Sequence, residues 1–448
     1  MLQRLSLSIL LIGLVGIGLS ACGPAPTQLT ETDTNNNTGV DAGADADADG
    51  VAEAAATAAA AAFAATTEPR RPTTDNPIVL RAGNMPIQVS LVADGIVGPW
   101  DIEFLPDGAL LVNEMSGRMR IIRDGVLNPE PVWVSPSPSG NDVLHGIAVH
   151  PDYADNGWIY VSYMKAMDED PGIMTAAVSR GRLVNDMLVD VEEIFVADAW
   201  GPARMAFTGR MQFGPDNTLY MTIGDRDSLC CGPVDDNSIR IRAQSLEDHI
   251  GKTLRITEDG GVPSDNPFVN TPNAKPEIFT YGNRNGYGLE FHPETGELWQ
   301  LEIGPMGGDE INILVPGGNY GWPLVSTGRN YSGNLVSEQP WYREGMINPR
   351  VFWVPAISPA SIEFYTGDAF PDWQGSLFVG ALSGQHVERL TFGGGGQAEG
   401  RQEFLDEMGL RFRDIEQGPD GYIYLATEVR YGSGNPDGTI IRLEPVAQ

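Results

Sequence analysis

Six times along this chain a proline-centred turn precedes a short β-rich run, and that pattern limits the fold more than any other feature. The turns are Pro106-Asp107-Gly108, Pro151-Asp152, Pro215-Asp216-Asn217, Pro293-Glu294-Thr295-Gly296, Pro371-Asp372 and Pro419-Asp420-Gly421. The runs that follow are Ala109–Glu114, Trp158–Tyr163, Thr218–Ile223, Leu298–Glu302, Ser376–Gly380 and Tyr422–Thr427. Proline presets the turn, and glycine or asparagine supplies the left-handed position. The runs are rich in aromatic and β-branched residues and have strand length. One such unit cannot bury its own faces, but six arranged radially can. The expectation is an all-β, six-bladed β-propeller spanning residues 78–448. Ile87 to Ala93 is expected to pair with Thr439 to Leu443 and close the ring. A pair of β-sandwiches is the competing architecture, and no long amphipathic helical pattern competes. The prolines stand 45, 64, 78, 78 and 48 residues apart. Such uneven spacing implies insertions that build one face, where sites gather.

Charge narrows the function. There are 60 acidic residues against 28 basic ones, a net charge of −32. Nucleic acid needs a basic face, so that partner is excluded. A hard cation such as calcium, which takes oxygen ligands, is compatible. Three cysteines and five histidines do not supply a zinc array. Cys230 and Cys231 are adjacent, so they form either a vicinal disulfide or a pair of reduced thiols.

The N-terminus reads as an address. Arg4 precedes the apolar run Leu5 to Leu19, which suits a signal-peptide core better than a membrane span. Leu19-Ser20-Ala21-Cys22 resembles a bacterial lipobox, which implies cleavage after residue 21 and lipidation of Cys22. An ordinary signal peptide with a chance cysteine is the alternative. Residues 22–77 then form a low-complexity linker, with an Asn35-Asn36-Asn37 run and an alanine-rich block from Ala54 to Ala65. Its flexible reach is roughly 40 Å. The expected location is the bacterial cell envelope outside the cytoplasm, with membrane attachment by lipid anchor alone.

Around these repeats, from about residue 90 to 445, the chain resembles the pyrroloquinoline quinone (PQQ)-dependent glucose/sorbosone, or aldose sugar, dehydrogenases. The resemblance rests on "PWDIEFLPDG", "GIAVHPDYADNGWIYVSY", "GRMQFGPDNTLYMTIGD", "HIGKTLRITEDGGVPSDNPF", "YGNRNGYGLEFHPETGELW", "GPMGGDEINILVPGGNYGWP" and "RFRDIEQGPDGYIYLATE", in this order. It implies a propeller with PQQ and Ca2+ on one face near the axis. There an aldose is oxidised at C1 to its lactone, a histidine takes the hydroxyl proton, and an external acceptor receives the electrons. The resemblance matches Gly304 and Pro305 to main-chain carbonyls that hold the PQQ calcium; alone they would read as a turn. After Asp309, it matches Glu310 and Tyr320 to a second calcium region; alone they would read as a solvated acid and a core tyrosine. Arg284 and Asn285 match the pair that approaches the quinone. Arg411 and Arg413 alternate on one strand, so they share a face, and match arginines that pair with cofactor carboxylates.

The departures are as informative. The family's base histidine falls at Ala206, four residues before Arg210, and no histidine lies between His150 and His249. The cofactor-contacting lysine or arginine falls at Ser383, a threonine contact at Ala356, and a Gln or Glu contact at Asn141. His145 stands where the family carries leucine, so it is either a substitute base or a residue packed at a strand start. His150, His249 and His292 read as structural, while His386 lies beside Ser383. Two further functions stay open. One is a catalytically impaired, tethered propeller that binds a sugar, a quinone or a protein. The other is a lactonase-type propeller, which needs carboxylates converging on the axis.

Overall fold

Each proline turn joins the innermost strand of a four-stranded antiparallel sheet to the strand beside it. The computed structural model describes residues 69–137, 144–202, 208–227, 237–393, 398–430 and 435–446. Blade 1 comprises Pro99–Phe104, Leu110–Glu114 and Arg118–Arg123, with Val126–Leu127 and Trp133–Val134 at its outer edge. Blade 2 comprises Leu144–Val149, Trp158–Ala166, Ile173–Val184 and Met187–Val196, with Gly201–Pro202 added to its third strand. Blade 3 is Met211–Phe213, Leu219–Ile223, Lys252–Ile256 and Ile278–Tyr281; blade 4 is Gly286–Phe291, Leu298–Glu302, Asp309–Leu314 and Val351–Trp353. Blade 5 is Pro359–Phe364, Leu377–Ala381, Val387–Phe392 and Ala398–Phe404. Blade 6 takes Arg411–Gln417, Ile423–Glu428 and Gly438–Pro445 from the C-terminal end, then Met85–Ile96 and Ile78–Ala82 from the other end of the propeller.

That last sheet is the closure expected from sequence. Val89 lies opposite Leu443, Leu91 opposite Ile441, and Ala93 opposite Ile440. Neighbouring inner strands touch all the way round, and Arg411–Gln417 meets Pro99–Phe104, so the six sheets form a ring. A separate apolar cluster fills each of the six gaps between successive blades. The second strands are buried on both faces. They therefore read as continuous apolar runs rather than alternating ones. Just before the first strand, Arg70 N donates to Met408 O at 2.8 Å.

The axis is polar and has two layers. Alternation along each inner strand puts Asp101, Gly146, Arg210, Gly288, Ser361 and Asp414 in one layer. Two residues further on stand Glu103, Ala148, Gln212, Glu290, Glu363 and Glu416. A Cβ on Gly146 would come within 2.3 Å of Gly209 O, so that crossing needs a glycine. In the first layer the Arg210 guanidinium lies between the carboxylates of Asp101 and Asp414, the latter at 3.1 Å. Arg210 also donates to Tyr287 O at 2.9 Å and Ala360 O at 3.3 Å. Asp101 accepts from Ile147 N at 2.6 Å, and Asp414 accepts from Ile102 N at 2.7 Å. All six blades are thereby joined through three side chains. Removing one partner of such a buried group strands the others. Arg210→Met should cost about 3–5 kcal/mol in urea unfolding. A cost under about 1 kcal/mol would show that the apolar gaps alone hold the ring.

The second layer places four glutamates around a cavity of about 30 Å³. Burial, with Asp414 nearby, pushes Glu103 up to about 8, and burial with Glu103 nearby pushes Glu290 up to about 8. Glu363 and Glu416 are raised well above the ordinary carboxylate range, first by burial and then by their acidic neighbours. The folded chain thus holds protons that the unfolded chain releases near pH ~4, and stability falls as pH rises from there towards the folded values. Glu103→Gln or Glu290→Gln mimics the protonated acid. Either should change stability little at about pH 4 and raise it progressively up to about pH 8. Urea titrations across that range would reveal the flatter profile, and a profile parallel to wild type would contradict it.

Candidate functional site

The proline turns share one end of the strands, so the other end carries the long connections. There the second strands finish in buried acids: Glu114 in blade 1, Glu302 in blade 4 and Glu428 in blade 6, with Asp225 just past the blade 3 strand. Each acid is fixed by donors. Glu114 accepts from Arg118 at 2.7 Å and Val97 N at 2.9 Å, and Glu302 accepts from Asn283 Nδ2 and Arg284 N, both at 2.6 Å. Asp225 accepts from Trp322 Nε1 at 2.8 Å. The sequence carried a signal for these groups, since two of the β runs end in glutamate and a third is followed by one, Glu428.

Arg284 and Asn285 lead into the inner strand of blade 4 and are buried. The Arg284 guanidinium donates one hydrogen bond to Ile303 O and lies 5.3 Å from the Trp322 ring centre. Arg240 approaches the same ring at 5.4 Å and pairs with buried Asp227. Arg284 Nε and Nη2 and Asn285 Oδ1 have no partner among the described residues. Buried donors left this way normally answer a ligand or an ordered water.

Arg411 and Arg413 point to the same side, as their alternation requires. Both pair with Glu428 Oε1, at 3.0 and 2.7 Å. Burial alone would raise Glu428, yet Arg413 and Arg411 hold it below its ordinary range. Two guanidinium groups thus converge on one carboxylate oxygen.

Gly304 and Pro305 open a tight turn whose carbonyl groups crowd together; a Cβ on Gly304 would lie 2.3 Å from Gly307 O. Asp309 shapes this turn by accepting from Gly304 N at 2.8 Å, Ile357 N at 2.7 Å and Ser358 N at 2.9 Å. Ser383 Oγ donates to Ser358 Oγ at 2.8 Å, which links the two loops. Ala356 is half-buried in the segment just before Ile357. Glu310 accepts from Asn312 Nδ2 at 2.9 Å. The Tyr320 hydroxyl donates to Ile313 O at 2.7 Å and accepts from Val315 N at 2.9 Å. No group of three or more His, Cys, Asp or Glu among the described residues is placed to hold a metal.

His145 is the second residue of the inner strand of blade 2. Its ring is buried and stacks on Trp100 at 4.8 Å and 17°. Trp100 caps the axis with Met115, Tyr287, Ala360 and Leu382. A Cβ added to Gly209 would lie 3.4 Å from the Cβ of His145, so this histidine borders the segment that follows position 206. His150 Nε2 pairs with Glu258 at 2.8 Å, and His249 Nδ1 accepts from Asp198 N at 2.9 Å. His386 Nδ1 donates to Gly384 O at 3.0 Å. Cys22, Asn141, Ala206, Cys230 and Cys231 lie outside the described residues.

The family model for glucose/sorbosone dehydrogenases matches residues 96–442. The chain belongs to this family. Aldose sugar dehydrogenase YliI of Escherichia coli is 34% identical over 352 residues, covering 77% of this chain and 91% of that protein. Quinoprotein glucose dehydrogenase B of Acinetobacter calcoaceticus is 26% identical over 370 residues, covering 67% and 76%. The PQQ-bound aldose sugar dehydrogenase of Streptomyces coelicolor superposes with a TM-score of 0.61 at 25% identity, covering 84% of this chain and 99% of that structure. The six-bladed fold is thus shared with a family of sugar-oxidising oxidoreductases.

Proposed function

We propose that the chain is a PQQ-dependent sugar dehydrogenase that oxidises an aldose at C1 to its lactone and passes the electrons to an external acceptor. The observation that supports this most is the buried Arg284–Asn285 pair with unmatched polar atoms. A planar, multiply charged anion suits the residues present. Arg284, Arg411 and Arg413 would pair with its carboxylates and carbonyl oxygens, and Asn285 would orient it. The Gly304 and Pro305 carbonyls would hold calcium, whose preference is for oxygen ligands. PQQ, when bound, supplies the two-electron acceptor that no side chain provides. Glu310 and Tyr320 would belong to a second calcium region, and Asn141 and Ser383 would border the cofactor. A single tether through lipidated Cys22, followed by the 22–77 linker, would hold the propeller outside the cytoplasm, with Cys230 and Cys231 free to oxidise there.

Proton removal is the unusual part. Alanine at position 206 cannot take the proton from the sugar's C1 hydroxyl. His145, beside Gly209 and stacked on Trp100, is the proposed replacement. A second reading rests on the same departures, because Ser383 meets only another serine where the resemblance expects a cation. In that reading the propeller binds sugar, quinone or protein without rapid turnover.

Equilibrium binding of PQQ to the whole protein, with and without calcium, tests the first reading. Calcium-dependent binding is expected, and Arg284→Ala should weaken it roughly ten- to a hundredfold, the worth of one charged hydrogen bond. No binding at micromolar PQQ would sink the quinoprotein reading. For the base, His145→Gln should lower the aldose oxidation rate about 10²–10⁴-fold and remove its ionisation from the pH–rate profile, and Ala206→His should restore the rate. An unchanged rate and profile in His145→Gln would return that histidine to a packing role.

A further inference from the structure

Between blades 4 and 5, at the end carrying the proline turns, a cleft of about 850 Å³ opens to solvent. It lies across the length of the strands from Arg284 and Gly304, because His292 and Pro293 occupy the blade 4 turn that lines it. Its volume falls within the range of small-molecule sites. Three donors in its wall lack acceptors. Trp299 is 2% exposed, and its Nε1–H has no partner among the described residues. His292 Nδ1 accepts from Glu294 N at 3.2 Å and Thr295 N at 3.3 Å, which puts the ring proton on Nε2, a donor with no partner. Arg350, exposed at the same cleft, forms no ion pair among the described residues. Phe392 stands over Trp299 with ring centres 5.0 Å apart and adds a half-exposed aromatic face.

Donors alone would suit an anion, but the exposed carboxylates of Glu294 and Glu297 stand on the rim and the whole chain is strongly acidic. Those charges repel an anion and call for donors from the ligand. A hydroxyl both donates and accepts, and the C–H face of a sugar ring packs on an aromatic ring. We propose that this cleft is a second, non-catalytic site for a neutral oligosaccharide, with Trp299, His292 and Arg350 donating to its oxygens. Glu294 and Glu297 accept from its hydroxyls, and Phe392 packs against a ring. The site stands apart from the proposed cofactor face, so it does not depend on the dehydrogenase reading.

Isothermal titration of the whole protein with maltohexaose and cellohexaose tests it. Saturable binding of at least one is expected, in the millimolar range or tighter. Arg350→Ala, at an exposed position where folding is not at stake, should weaken it about tenfold. Arg284→Ala should leave it unaltered. Absence of binding to both sugars would overturn the proposal. So would binding insensitive to Arg350→Ala, or binding lost in Arg284→Ala, which would place the sugar on the cofactor face. Tighter binding of polygalacturonate than of either neutral sugar would overturn the stated ligand class.

Discussion

Everything in this molecule hangs on the Asp101–Arg210–Asp414 group at the axis. Three side chains reach all six inner strands, because each carboxylate also takes a backbone N–H from the next blade and the guanidinium feeds two carbonyl groups. Such a group fixes how far each inner strand slides against its neighbours, which apolar packing between twisted sheets leaves loose. Its charges do not balance, since two carboxylates share one arginine. Burial first, and Asp414 beside it, raises Asp101 despite the opposing pull of Arg210. Carboxylates left over beneath Arg210 form the glutamate layer, and no second arginine reaches it. The axis is therefore well tied at one level and electrostatically strained at the next.

The polarity of the blades then separates two chemistries. Every inner strand runs towards a proline turn, so every second strand runs back to the opposite face. The buried acids at the second-strand ends can consequently meet Arg284, Arg411 and Arg413, which stand at the inner-strand beginnings. These acids hold the arginines in place. At the other end, a cleft opens between the turns of blades 4 and 5, against Trp299.

The repeat was legible because proline turns and buried β runs are local features, written within about ten residues of each other. The closing strand was legible too, although a bulge between Leu91 and Ala93 turns Ala93 to the opposite face from Val89 and Leu91. Within the site, the arginine pair at 411 and 413 was found on one face through the same period of two. The axial layers were not legible. Asp101, Arg210 and Asp414 are spread over more than three hundred residues, and only the fold brings them together. The role of Glu428 was hidden for a different reason: a glutamate ending an apolar run looks like a strand leaving the core. His145 was singled out by its identity, but its stack on Trp100 depends on blades 1 and 2 meeting at the axis.

Binding and catalysis are distributed unequally over this face, and that inequality determines what the departures can cost. In the proposed reading, anion recognition would be shared among Arg284, Arg411 and Arg413, so a missing cation at position 383 would remove one contributor among several. The Asp309–Ser358–Ser383 links still brace the loops that the lost side chain would have joined. Proton removal depends on a single group, and its loss raises a barrier by about 3–5 kcal/mol. No number of well-placed arginines offsets that, because they stabilise negative charge without accepting a proton. A face of this kind would therefore keep its affinity while its rate is set by the one group that takes the proton, the role proposed for His145.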